Sequence, residues 1–129
     1  MVRVLGDRTI VAIQGAVRLD DFDEPRPDVV LLRPREDYYS SGHAGPSDIL
    51  LIIEMAESSL EFDQTIKAGL YAETGVPEYW IADIRNDRLL VYGDIRGKNY
   101  EEFRELQRGQ TITPRLLEGC PIEVRDLLP

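Results

Sequence analysis

Cysteine and histidine are almost missing from this chain, since Cys120 and His43 are single occurrences in 129 residues. A lone thiol cannot close an internal disulfide, and one thiol plus one imidazole cannot assemble a cysteine-rich zinc site or a histidine-based zinc hydrolase. Long apolar runs are missing too. No stretch reaches the roughly 18 to 20 residues of a membrane-spanning helix, and MVRVLGDRTI has none of the basic start, apolar centre and cleavage site of a secretory signal. The expectation is a soluble cytoplasmic protein with no membrane partner. Positive charge is also short, with 15 Lys and Arg against 24 Asp and Glu and a formal net charge of −9. This argues against a passive nucleic-acid coat, because nonspecific binding to DNA comes mostly from cations that neutralise phosphates. An enzyme acting on nucleic acid stays compatible with the charge, provided that metal ions, a local basic patch or a partner subunit offset the repulsion.

What is present suits one compact domain over residues 1–129, with 43% hydrophobic and 30% charged residues and enough apolar side chains for a modest core. VRVL and RTIVAIQGAVRL (8–19) read as strands. DDFDEPRP follows as an acidic loop, and PDVVLLR (27–33) as a strand whose proline sits at its start, where no ladder bond is lost. PREDYYSSGHAGPS is rich in Gly, Ser and Pro and reads as a mobile loop. DILLIIEMA (48–56) is apolar on both faces and belongs in the middle of a sheet. Ser58 to Glu61 form a capping-box pattern, and SLEFDQTIKAGLYAET continues at helical period with Phe62, Ile66 and Leu70 on one stripe. Gly75 and Pro77 end the helix. PEYWIADI is a strand, RNDR a turn and LLVYGD its hairpin partner. NYEEFREL, QTITP and IEVRDLLP suggest short edge strands and a weakly defined tail. The order β-β-β-α-β-β, with one helix crossing between the third and fourth strands, predicts an α/β fold with the helix on one face of a sheet.

The feature that asks for an explanation is Glu54, where five aliphatic residues run straight into a carboxylate. A glutamate that continues a buried strand is rarely left unpaired. Residues two apart on a strand share a face, so Glu54 and Ala56 point one way and Met55 the other. If the strand of Asp28 is an antiparallel neighbour, Asp28 and Glu54 meet at one sheet end, where two carboxylates call for a cation such as Mg²⁺, a hard ion that prefers oxygen ligands. On the helix, Asp63, Lys67 and Tyr71 follow a four-residue spacing, which carries Lys67 toward the space above the small Ala56.

The order PD (27–28), E-x-A (54–56), D-x-x-x-K (63–67) and LYAETGVPEYWIAD (70–83) resembles the Uma-type restriction endonucleases of the PD-(D/E)XK nuclease superfamily. The resemblance runs from about residue 10 to the C-terminus, with its most specific part between Glu54 and Asp83. It implies a restriction-endonuclease-like mixed sheet with a crossover helix, and Mg²⁺-dependent hydrolysis of DNA, with Mn²⁺ as an alternative ion. It implies that Asp28 and Glu54 hold the metal with the backbone carbonyl of Met55. It also implies that the lysine of the usual E-x-K motif, whose place Ala56 takes, has moved to the helix as Lys67. Relatives usually carry an N-terminal helical segment before the first strand. This chain begins almost at that strand, so either its start is truncated or it is a shortened member whose sheet face is covered by something else, and the open face leads to the expectation of a homodimer or higher oligomer.

Each residue also has a plainer reading. Asp28 after a proline commonly starts a strand or turn, and Asp63 with Lys67 is an ordinary helix-surface pair worth about 0.3 kcal/mol. Tyr71, Glu78, Tyr79 and Trp80 read mainly as core and helix-on-sheet packing. Tyr38 and Tyr39 suit base stacking only if the loop meets nucleic acid. His43 reads as solvent-facing and Cys120 as a small buried hydrophobe. The rival to a nuclease is a noncatalytic, oligomeric interaction module that keeps the nuclease fold.

Overall fold

The computed structural model describes residues 2–5, 9–13, 29–33, 48–57, 60–116, 119 and 121–128, with the side chains of 2–5, 9–13 and Asp63 outside the description. Strands β1 (Val2–Leu5), β2 (Thr9–Ile13), β3 (Val29–Leu32), β4 (Ile49–Ala56), β5 (Glu78–Asp83), β6 (Arg88–Arg96) and β7 (Asn99–Gln107) form one seven-stranded sheet in sequence order. Strands β4 and β5 are parallel, while every other neighbouring pair is antiparallel. A parallel pair needs a crossover, and the helical segment between residues 60 and 74 supplies it. The sheet is therefore mixed, and its one parallel joint lies where the helix crosses.

Apolar residues on both sides of β4 and β5 explain why these strands are central. Ile52, Ala56, Tyr79, Ile81 and Leu90 pack on the helix side with Ala68, Tyr71 and Val76. Leu51, Ile53, Trp80, Ala82, Leu89 and Val91 form the opposite side, closed by Leu106, Ile112, Val124 and Leu128. Each large aliphatic or aromatic side chain among these contributes about 1.5 to 3 kcal/mol by leaving water. The segment read as a weakly defined tail is ordered by that second core. Strands β8 (Thr111–Ile112) and β9 (Ile122–Glu123) pair with each other, and a 3₁₀ turn (Val124–Leu127) buries Val124. NYEEFREL likewise belongs to a full nine-residue strand rather than a short one.

The helix departs from its expected face. It comprises α1 (Leu60–Phe62), a π-helical turn (Asp63–Lys67) and α2 (Ala68–Thr74). Of the stripe Phe62, Ile66 and Leu70, only Leu70 joins the core; Phe62 is 51% and Ile66 59% exposed. Ala68, Tyr71 and Ala72 are buried instead, because two alanines let the helix backbone lie close to the sheet and leave room for the Tyr71 ring. That ring meets Tyr79 edge-on, with centroids 5.0 Å apart. The C-terminus ends as expected. Gly75 takes φ 91°, its N–H donates to the Ala72 carbonyl and that of Val76 to the Tyr71 carbonyl, a left-handed cap that glycine adopts without steric cost. The Tyr100 hydroxyl then donates to the Val76 carbonyl at 2.7 Å, tying the helix exit to β7. Among the described residues, no helix is long and apolar enough to cross a membrane.

Candidate active site

Glu54 stands near the C-terminal end of β4, on the helix face of the sheet between Ile52 and Ala56, and is only 3% exposed. Burying an unpaired carboxylate costs several kcal/mol even after the protein relaxes. Its partner is Lys67, the last residue of the π turn, whose Nζ donates to Oε2 at 2.5 Å. Lys67 keeps 31% of its side chain exposed, so the pair has a dry side on the sheet and a wet side above it. The Lys67 ammonium also lies 5.9 Å from the Phe62 ring centroid, within the range at which a ring face attracts a cation. A four-residue spacing from Asp63 would have suited a plain α-helix; the π turn adds a residue to the turn and still delivers the lysine to Glu54.

Met55 points to the other face of the sheet and is half-buried against the second core. Asp28 lies outside the described residues, as do Tyr38, Tyr39, His43 and Cys120. Its chain neighbour Val29 pairs with Ile53, the residue before Glu54. Asp63 has a described backbone only, within the π turn.

Two further polar residues close the same sheet end. In the parallel ladder Ala56 pairs with Asp83, and the Ile84 N–H donates to the Ala56 carbonyl at 3.0 Å. Asp83 shares the helix face with Tyr79 and Ile81 and is buried. Its Oδ2 accepts from Arg88 Nε at 2.6 Å and from Asn86 Nδ2 at 2.9 Å, and Oδ1 accepts from the Asn86 N–H at 3.4 Å. Burial alone would raise its pKa, but the Arg88 and Asn86 hydrogen bonds and the Arg88 charge outweigh that and hold it below the usual value. Sequence reasoning assigns Asp83 and Arg88 no role. The available signal is strand parity: the last residue of one hairpin strand faces the first of the next on the same side.

Glu78 is the third buried carboxylate and sits elsewhere, on the second face at the N-terminal end of β5. The Trp80 indole donates to it at 2.7 Å and the Arg115 N–H at 2.9 Å. It lies on the face away from the helix rather than in helix-on-sheet packing, and through the Arg115 N–H it holds the segment after β8. A cavity of about 440 Å³ lies at this end, lined by Gly75, Pro77, Asp94, Ile95, Arg115 and Leu116. Strand register separates it from Glu54, which pairs with Ile81 farther along β5.

The Glu54 corner thus sets a buried carboxylate against a part-exposed ammonium at the end of a β-strand before the crossover helix. The sequence matches the Uma2 family, described as "Putative restriction endonuclease", over residues 3–125. The chain belongs to this family. No curated protein matches it. Among solved structures, the crystal structure of a putative nuclease of DUF820 from Anabaena variabilis is similar, with a TM-score of 0.68 and 14% identity over 95% of this chain and 69% of that one. At that identity the likeness shows the fold, a nuclease-like mixed sheet with one crossover helix. As a Uma2 family member, the chain carries Glu54-Met55-Ala56 at the strand end, with Lys67 brought in from the helix to the glutamate.

Proposed function

We propose that this Uma2 family member is a metal-dependent endonuclease that hydrolyses phosphodiester bonds of DNA. The observation that supports it most is the contact of Lys67 with Glu54, because a buried carboxylate joined to a half-exposed ammonium is costly as mere packing and useful beside a phosphate. The donors available suit Mg²⁺ or Mn²⁺, being hard oxygens of Glu54 and the Met55 carbonyl without thiol or imidazole. Among the described residues, no cluster of three or more His, Cys, Asp or Glu is placed to hold a metal. The second carboxylate proposed is therefore Asp28, whose neighbour Val29 is laddered to the residue before Glu54. When bound, the ion supplies a water of lowered pKa and polarises the phosphate. Lys67 orients that water or neutralises charge growing on the phosphate oxygens, and Glu54 holds the lysine in place until the substrate arrives. Cytoplasmic location is part of the same reading.

The test is cleavage of plasmid DNA with Mg²⁺ or Mn²⁺, followed on a gel. Wild type is expected to nick or cut, and Glu54→Gln, Asp28→Asn and Lys67→Ala to lose activity by at least about two orders of magnitude, the scale on which loss of one charge-stabilising group acts. Equal cutting by wild type and all three variants would remove the proposal. The alternative, a noncatalytic homo-oligomeric interaction module, draws on exposed Phe62 and Ile66. It predicts no cleavage with any of these ions and a mass in light scattering that falls to the monomer in Phe62→Ser/Ile66→Ser.

A further inference from the structure

We infer that Arg88 is a second backbone-phosphate contact for the nucleic acid, held in position by the buried Asp83 one strand beyond the Glu54 corner. The inference rests on the nuclease reading above. On the helix face of the sheet, Ala56, Asp83 and Arg88 lie side by side on β4, β5 and β6, with Glu54 one pleat below Ala56. Adjacent strands are about 4.8 Å apart, so Arg88 starts about 10 Å across the sheet from β4. It is too far to share the phosphate at Glu54 and is placed for a neighbouring one. Ala56 has no side chain beyond Cβ to stand between them.

The way Arg88 is held supports this use. Its Nε donates to Asp83 Oδ2 at 2.6 Å and its Nη1 to Glu105 Oε1 at 3.2 Å. Nη2 makes no hydrogen bond among the described residues, and 26% of the side chain remains exposed. Two carboxylates therefore fix the plane of the guanidinium and leave the Nη2 donors for a phosphate oxygen. A tie between hairpin strands does not need this. Asp87 and Arg108 already make such a tie on the surface, and an asparagine at position 83 would cap the turn at Asn86 without burying a charge. Unlike that asparagine, the buried aspartate also accepts from Arg88 Nε as a charge-assisted bond and fixes where the guanidinium sits. For a chain of net charge −9, cations fixed at the site are the means of bringing a polyanion to it.

The test is DNA binding by the full chain, read as fluorescence anisotropy of a short labelled duplex in Ca²⁺ over a salt series. The steepness of log affinity against log salt falls by about 0.9 for each phosphate the protein ceases to neutralise. Arg88→Gln is expected to lower it by about that much, and Arg96→Gln, at the far end of β6, to leave it unchanged. Arg88→Lys keeps the slope but binds more weakly, because a flexible ammonium replaces the planar guanidinium that the two carboxylates hold in place. Asp83→Asn, a positioning change, weakens binding while Arg88 remains. Because Arg88→Gln strands the Asp83 charge, the double variant Asp83→Asn/Arg88→Gln is measured beside it, with thermal melting as the fold control. It is expected to melt near wild type and still show the reduced slope. If wild type binds and both Arg88→Gln proteins share its slope and affinity, the phosphate role of Arg88 is overturned and the nuclease reading stands. If wild type binds no duplex at any salt, the nuclease reading falls and this inference falls with it.

Discussion

Glu78 and Asp83 stand at opposite ends of β5, both buried, and their carboxyl groups are pushed in opposite directions. Burial raises Glu78, and its hydrogen bonds from Arg115 and Trp80 and the charges of Arg104 and Arg115 offset only part of that. A raised carboxyl binds its proton more readily in the folded state than in the unfolded one. Stability from Glu78 is therefore greatest below its ordinary value of 4.5 and falls as pH rises through the folded value. Asp83 has the reverse sign. Its stabilisation is present above its ordinary value of 3.8 and is lost as pH falls through the lowered folded value. Urea denaturation of Glu78→Gln across the weakly acidic range is expected to show the upward-pH loss gone. The same variant should be less stable by about 1 to 3 kcal/mol, since Trp80 and Arg115 donate to both oxygens and one donor would face an amide –NH₂. A pH profile parallel to wild type would place the raised carboxyl elsewhere. In Asp83→Asn the acid-side loss should shrink instead.

At the scale of the element, the crossover helix separates what the sequence states from what only packing decides. Its C-terminal end is legible because it is local chemistry: Gly75 in the left-handed region and Pro77 after it stop any helix. Its buried face is not, because Phe62 and Ile66 are the more hydrophobic choice, yet the sheet takes Ala68, Tyr71 and Ala72. Hydrophobicity ranks side chains singly, whereas close helix-on-sheet approach rewards small ones, and the π turn resets the phase between the two halves. The β4 and β5 strands are legible for the opposite reason, being apolar on both faces at any phase. The Glu54 anomaly is legible as well, but the Asp83–Arg88 pair hides behind an ordinary turn sequence. Two measurements check the assignment of faces. Thermal melting of Phe62→Ser and Ile66→Ser should change stability by no more than about 0.5 kcal/mol, as for surface positions, while Tyr71→Ala should cost about 3 to 5 kcal/mol. Gly75→Ala should cost about 1 to 2 kcal/mol through its positive φ. A large loss at Phe62 or Ile66 would mean that the expected stripe is the buried one after all.

For the whole molecule, the question is what balances the Glu54 charge when the protein is at rest and when it is at work. In this structure Lys67 balances it, so a metal at the same carboxylate competes with an ammonium for it. An ion that binds only the folded chain raises stability with the logarithm of its concentration, by about 2.7 kcal/mol at roughly a hundred times the dissociation constant. Wild type is expected to show that rise in its melting temperature with Mg²⁺ or Mn²⁺. Glu54→Gln should lose most of it while changing the metal-free protein little, because Lys67 already has one side in water and can turn outward. Lys67→Ala should melt lower without metal, since the buried carboxylate loses its ammonium, and should then gain at least as much from metal as wild type does, because its competitor is gone. It should nevertheless fail to cleave. This ordering, with the lysine variant most responsive and the glutamine variant least, cannot arise from nonspecific binding of ions to an acidic surface, where all three proteins would shift alike. Equal shifts in all three would therefore remove the metal from Glu54 and leave the Lys67 contact as a structural ion pair of an interaction module.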